Sequence, residues 1–141
     1  GFRCACSMPA VVETPPRLSD GTPFPTFYYA TCPRLTGAIS TLESSGLMAE
    51  MNQRLAEDPD LAAAYRKAHA AYIADRNALG IVVDEVDDIS AGGMPDRVKC
   101  LHSLVAHSLS AGPGVNPLGD EALSKLPQWW IENPCNSEMD A

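Results

Sequence analysis

The chain has 141 residues, of which 45% are hydrophobic and 20% are charged, and its formal net charge is −8. This length fits a single domain with a buried core. The acidic balance argues against nonspecific binding to nucleic acid or to an anionic membrane, because both require a basic surface. No apolar run approaches the roughly 20 residues that span a bilayer. We therefore expect a cytoplasmic protein in which residues 1–133 form one domain and residues 134–141 a disordered tail.

Two short extended segments are predicted in the first third of the chain. Residues 10–14 (AVVET) are rich in β-branched side chains, and residues 26–32 (TFYYATC) are rich in aromatic ones. The connection between them contains four prolines and an Asp20-Gly21 turn signal. We expect the two segments to pair as a β-hairpin with a long loop.

The rest of the chain is predicted to be mainly helical. Proline at a first helical position and apolar residues at helical spacing place the helices. Asp58 is the expected N-cap of the clearest one. Residues 81–83 are read as a short strand, and Trp129 and Trp130 as a clamp on the core. The expected helices run over residues 33–45, 47–57, 59–79, 95–110 and 117–126. The predicted fold class is α+β, mainly helical, with a short N-terminal β-hairpin packed on four to five helices.

The cysteines suggest a metal site drawn from distant parts of the chain. Their number, five, is odd, whereas a disulfide framework favours an even count. Cys4 and Cys6 lie beside the first strand, just before it, and Cys32 ends the second, so the hairpin could bring them to one end. With Cys100 they supply four thiolates, enough for structural zinc or an iron–sulfur cluster. The alternative is that Cys32 and Cys100 are small buried hydrophobic residues.

The predicted helix over residues 95–110 constrains which ligands Cys100 can have. A regular helix turns 100° per residue, so Cys100 and His102 would point roughly 160° apart and could not share one ion. Cys100 and His107 would share the face opposite the core but lie about 10 Å apart along the axis. The partners of Cys100 are therefore expected elsewhere, and His107 is the stronger functional candidate of the two histidines.

A second candidate site precedes the same helix, in the sequence GGMPDRVK. Glycines before a helix can expose backbone N–H groups, and Arg97 and Lys99 add positive charge. This pattern predicts an anion-binding site at the helix N-terminus. The alternative, a plain entry from loop to helix completed by Asp96, is the more common outcome.

Two long stretches of the sequence, residues 3–35 (from RCACSMPA to YYATCPRL) and residues 90–123 (from SAGGMPDR to NPLGDEAL), closely resemble the domain-of-unknown-function family number 501, found mainly in actinobacteria. The resemblance implies a small cytoplasmic protein, often encoded beside a septum-formation initiator and a Ppx/GppA-type exopolyphosphatase. Family members begin earlier in sequence, so residues are expected to precede Gly1. In the family, His can replace Cys32, an exchange that a metal-ligand position tolerates. Cys6 is less characteristic of the family pattern, so His102 or His107 competes for the fourth ligand place.

Two functional hypotheses follow from these patterns. The first is a non-enzymatic binding or regulatory module in which zinc or an iron–sulfur cluster stabilises the hairpin, with a partner in cell division or polyphosphate metabolism. The second is an enzyme acting on a phosphorylated or other anionic substrate, through an open metal position or through four side chains. These four are Arg97, Lys99, His102 and His107. A redox-sensing cluster is a third possibility.

Overall fold

A computed structural model describes residues 2–3, 9–16, 19–80, 84–86 and 88–127 of the chain. Several predictions fall outside the described residues. They concern Cys4, Cys6, the strand over 81–83, the tryptophan clamp and the C-terminal tail.

Three antiparallel strands form a small sheet in the order β1-β2-β3. They are β1 (Phe2–Arg3), β2 (Pro9–Glu13) and β3 (Tyr28–Ala30). Val11 of β2 pairs with Ala30 of β3, and Glu13 pairs with Tyr28. The predicted hairpin is therefore confirmed, and β1 adds a short third strand beside β2.

Five α-helices follow the sheet within the described residues, and local signals account for the starts of three of them. Pro is the first residue of three of them, where its missing N–H costs no hydrogen bond. Asp58 accepts hydrogen bonds from the backbone N–H groups of Asp60 and Leu61 at 3.0 and 3.1 Å, as an N-cap does. None of these helices combines the length and apolar character needed to cross a membrane. The helices are α1 (Pro33–Glu43), α2 (Leu47–Glu57), α3 (Pro59–Asn77), α4 (Leu101–Ala111) and α5 (Pro117–Ser124).

The start of α4 departs from the sequence prediction. Residues 92–96 form turns rather than a helix, and α4 begins at Leu101 instead of Pro95. The side chain of Asn52 in α2 makes two hydrogen bonds to the backbone of Val98, one to its N–H at 2.7 Å and one to its carbonyl at 3.0 Å. The Tyr65 hydroxyl of α3 donates to the carbonyl of Arg97 at 2.9 Å. These contacts hold the segment away from helical geometry, so the predicted helix start was wrong.

The core lies between α4, α3 and the sheet. Leu101, Leu104 and Val105 of α4 are fully buried, and the helix packs on α5, β3, α1 and β2. One face of α3 is buried, and it consists of Tyr65, Ala68, Tyr72 and Arg76. Leu79 at its predicted end is 44% exposed, because the helix stops at Asn77.

Two polar side chains of α3 anchor the segments on either side of it. The Tyr72 hydroxyl accepts hydrogen bonds from the backbone N–H groups of Phe27 and Tyr28 at 2.6 and 3.0 Å. The buried guanidinium of Arg76 donates to three backbone carbonyls, those of Pro25, Val86 and Ile89. The chain before β3 and the chain leading towards α4 are thereby fixed to the same helix.

Candidate metal centre

Cys100 marks the point where the extended segment becomes helix α4. It is the N-cap of α4, with extended backbone angles of φ −151° and ψ 117°, and its side chain makes no capping bond. The Ser103 hydroxyl donates to its Sγ at 3.9 Å. Because Cys100 precedes the helix, the direction of its side chain is not set by helical periodicity.

Glu43, the last residue of α1, supplies the cap that Cys100 does not. Its Oε2 accepts a hydrogen bond from the backbone N–H of Leu101 at 2.8 Å and lies 3.2 Å from Nδ1 of His102. A carboxylate at a helix N-terminus is favoured by the helix dipole and by the free N–H groups there. Glu43 thus joins the end of one helix to the start of another.

His102 is held by contacts at both ring nitrogens. Its Nδ1 faces Glu43, and its Nε2 lies 3.2 Å from the carbonyl oxygen of Thr36 and 3.3 Å from Oγ of Ser40. Both of these partners belong to α1, so the ring bridges α4 and α1. The orientation of the imidazole is therefore set on both sides.

Glu43, Cys100 and His102 form one potential ligand group. One side-chain donor atom from each lies within 4.8 Å of the other two, and all three residues are half-buried. The prediction that Cys100 and His102 point apart was wrong, since it assumed a helix through both residues. Thiolate, imidazole and carboxylate are all ligands that zinc accepts.

The other predicted cysteine ligands are not part of this group. Cys32 is 1% exposed and forms the N-cap of α1, and it does not belong to the group around Cys100. Cys4 and Cys6 lie outside the described residues, so the four-thiolate site stays a prediction.

The prediction that His107 and Cys100 share the helix face opposite the core was wrong. His107 is fully buried, stacked on Tyr28 and edge-on to Tyr72. The amide nitrogen of Asn116 donates to its Nδ1 at 3.2 Å, while its Nε2 has no hydrogen-bond partner among the described residues. Burial lowers the pKa of His107 to about 4, so the ring is neutral at pH 7. Leu101, Leu104 and Val105 lie in the core, and packing of His107 against β3 and α3 buries its side of the helix as well.

Arg97 and Lys99 lie away from the ligand group and line a cavity of about 410 Å³, together with Gly92, Gly93 and Asp96. The expected helix N-terminus is absent there because α4 starts later, and the N–H groups of Arg97 and Lys99 donate to the carbonyls of Gly93 and Gly92. Arg97, Lys99, His102 and His107 therefore do not converge on one pocket. Anion binding by Arg97 and Lys99 stays a prediction.

A second cavity, of about 310 Å³, adjoins the ligand group. Cys100 and His102 both line it. The other lining residues carry hydroxyl groups, aromatic rings or a methyl group, and they are Thr26, Tyr28, Tyr29, Ala30, Thr36 and Ser103.

Glu43 was missed by the sequence reasoning, although one signal could have drawn attention to it. An acidic residue at the C-terminal end of a helix opposes the helix dipole, typically at a cost of about 0.3–1 kcal/mol. Glu43 stands at that position in α1, which has no basic residue in its last turn. A carboxylate in such a place suggests a partner outside its own helix.

The family comparison covers most of the chain. A search of curated proteins and a search of solved structures return no match. The model of the family described as "Protein of unknown function (DUF501)" matches residues 1–124, a stretch that includes all three residues of the ligand group. The chain therefore belongs to the DUF501 family.

Proposed function

We propose that this protein is a zinc-binding module in which Glu43, Cys100 and His102 supply three ligands. The ion would fasten the C-terminal end of α1 to the N-terminal end of α4. The observation that carries the proposal is the convergence of three chemically suitable donor atoms within 4.8 Å of one another. Glu43 comes from the end of α1, whereas His102 lies in the first turn of α4 and Cys100 immediately precedes that helix.

The distance between two of the donors suits a tetrahedral ion. Zinc–nitrogen and zinc–oxygen bonds of about 2.0–2.2 Å imply a separation of about 3.3 Å between two ligand atoms. Nδ1 of His102 and Oε2 of Glu43 are 3.2 Å apart. The two atoms can therefore bind a common ion with little movement.

The second nitrogen of His102 supports the same assignment. A histidine that binds a metal through one nitrogen usually donates its other N–H to a carbonyl or carboxylate, which fixes the tautomer. Nε2 of His102 lies 3.2 Å from the Thr36 carbonyl oxygen, in position for such a bond. The alternative is a protonated His102 that donates to Glu43 and Thr36 without any metal. The two alternatives differ in metal content.

Zinc suits this group better than an iron–sulfur cluster. Clusters are held mainly by cysteine thiolates, whereas this group mixes sulfur, nitrogen and oxygen donors, as zinc sites do. A fourth ligand from Cys4 or Cys6 would close the site, and a water molecule would leave it open. In the closed form the ion is structural and also ties down the N-terminal segment.

The role proposed for the module is binding or regulation in the cytoplasm. Its partner would be a protein of cell division or polyphosphate metabolism. The surface offered is the proline-rich connection between β2 and β3, whose end is fixed by the Tyr72 hydroxyl. A segment that is already held at one end loses less conformational entropy when it binds than a free one.

An enzyme is the second candidate, and the cavity of about 310 Å³ beside Cys100 and His102 is what favours it. An open zinc position in such a cavity can activate water or polarise a carbonyl group. Arg97, Lys99 and His107 would not contribute to this active site, because they do not line its cavity.

The test is the metal content of the full chain, purified without chelators and without added metal. We expect one zinc ion per chain in the wild type and little in Glu43→Gln, Cys100→Ser or His102→Gln. His69→Gln is the matched control, since His69 is also a half-buried helical histidine whose ring contacts a serine hydroxyl, that of Ser90.

Two outcomes would contradict the proposal. A metal-free, folded wild type would favour the protonated His102 bridge, and an unchanged zinc content in all three variants would place the metal elsewhere. If the three variants do lose zinc, the further variants Cys4→Ser, Cys6→Ser and Cys32→Ser test which cysteine supplies a fourth ligand.

A further inference from the structure

The cavity beside the ligand group suggests what the ion would bind. Cys100 and His102 belong both to the ligand group and to the wall of the cavity. An ion held by their donor atoms would therefore border this space. A coordination position not used by the protein would be accessible to a small molecule inside it.

The lining of the cavity restricts the charge of that molecule. Among the described residues that line it there is no lysine and no arginine. A divalent ion bound by one thiolate, one carboxylate and one neutral imidazole has no net charge. Phosphate and carboxylate groups carry several oxygens that are usually satisfied by arginine or lysine, so this cavity suits them poorly.

The lining also restricts the chemical character of the rest of the molecule, its body, by which we mean the part other than the metal-binding donor group. The aromatic residues Tyr28 and Tyr29 and the methyl group of Ala30 offer apolar surface, and Thr26, Thr36 and Ser103 offer hydroxyl groups. The volume of about 310 Å³ lies at the lower end of the range for small-molecule pockets, so the cavity suits a small ligand. An uncharged body with one donor fits these walls.

We propose that the metal keeps one coordination position open to this cavity and binds there a small organic thiol with an uncharged body. This inference rests on the proposed function. A thiolate is a soft ligand well suited to zinc, and a single sulfur needs no arginine clamp. In the exchange the thiol gives its proton to the solvent, its sulfur binds the ion, and the bound water leaves.

Cobalt substitution of the full chain makes the exchange visible. Cobalt(II) bound by Cys100 is expected to show sulfur-to-metal charge transfer and visible bands whose intensity depends on the coordination geometry. We expect 2-mercaptoethanol to add charge-transfer intensity in a saturable manner, with cobalt retained on the protein after gel filtration. Inorganic phosphate and acetate should leave the spectrum unchanged.

Two variants on the same helix locate the binding place. Thr36→Phe puts a ring into the cavity and is expected to weaken the response to 2-mercaptoethanol at least tenfold. Thr41→Phe is the matched control, because Thr41 is exposed on α1 and does not line the cavity. Ala30→Leu fills the space from β3 and provides a second blocked variant should Thr36→Phe fold poorly.

The outcomes separate this inference from the proposed function. A cobalt spectrum that 2-mercaptoethanol does not change would mean a closed, four-ligand site, so the inference would be wrong while metal binding stands. A response to phosphate alone would overturn the thiol class, and a full response in both blocked variants would overturn the cavity. Loss of cobalt from the protein would count against thiol binding, and failure to bind cobalt at all would overturn both proposals.

Discussion

The two histidines of α4 show how different the ends of one helix can be. His102, in the first turn, is half-buried and touches polar atoms of α1 at both ring nitrogens. His107 is fully buried among aromatic rings and has a partner at only one nitrogen among the described residues. The first position suits ligand binding, whereas the second suits a neutral core residue. The residue type alone does not separate the two roles, because each is decided by what packs against the helix.

The free energy of unfolding should fall most when volume is added where α5 packs on the buried part of α4. A Cβ atom at Gly119 of α5 would overlap the Leu104 carbonyl oxygen and Oγ of Ser108. We expect Gly119→Ala to lower the free energy of unfolding by about 3 kcal/mol, since a backbone oxygen cannot move aside easily. Urea unfolding measures the loss. Gly37→Ala in α1 is the control, because open space surrounds that position, and it should raise stability by roughly 0.5–1 kcal/mol. Equal effects at both positions would mean that α5 does not pack closely on α4.

The neutral state of His107 should make stability depend on pH. Burial lowers its folded pKa to about 4, below the value of about 6.5 in the unfolded chain. The unfolded state therefore binds more protons between these values, and stability falls as the pH falls from 7 towards 4. We expect the wild type to lose about 2 kcal/mol more than His107→Gln between pH 7 and pH 5. Parallel stability curves for the two proteins would show that His107 is not buried as a neutral ring.

The polar end of α4 depends on the extended segment before it. Asn52→Ala removes both hydrogen bonds to the backbone of Val98 and leaves two partly buried groups without partners. We expect a loss of about 1–2 kcal/mol and zinc affinity at least tenfold weaker, since Cys100 follows this segment directly. Gln53→Ala is the control, because Gln53 is exposed and its side chain donates to Glu57 of the same helix. Unchanged zinc affinity in Asn52→Ala would mean that Cys100 is positioned by other contacts.

Substitutions of Glu43 separate capping from metal binding at the same end. In metal-free protein, Glu43→Ala should cost about 1 kcal/mol, because the N–H of Leu101 loses its acceptor. Glu43→Gln keeps an acceptor and should retain most of that stability, yet it should bind zinc poorly because the carboxylate charge is gone. Chemical denaturation and a zinc titration of both variants provide the two readouts. If Glu43→Gln binds zinc like the wild type, the carboxylate acts only as a helix cap.

Local signals in the sequence were enough to predict most of the elements. Pro33 and Pro59 mark helix starts, Asp58 caps α3, and β-branched and aromatic residues mark the hairpin. Each of these signals acts within a few residues, where sequence reasoning is strongest. The start of α4 was missed because its cause is distant: Asn52 fixes Val98 across 46 residues.

The candidate site was only partly predictable for the same reason. Cys100 and His102 were recognised as chemically interesting, but their relative direction followed from a helix start that was wrong. Glu43 joins them across 58 residues, a pairing that no local pattern indicates. The burial of His107 likewise depends on Tyr28 and Tyr72, which come from two other elements.

The contact between Glu43 and the start of α4 closes a long segment of chain. It spans 58 residues, and α2 and α3 lie entirely within that loop. A permanent cross-link around a loop of this length removes about 4 kcal/mol of conformational freedom from the unfolded chain, in the chain-entropy account. An ion at this point would thus act as a cross-link. It would slow amide hydrogen exchange throughout α2 and α3, far from its own ligands.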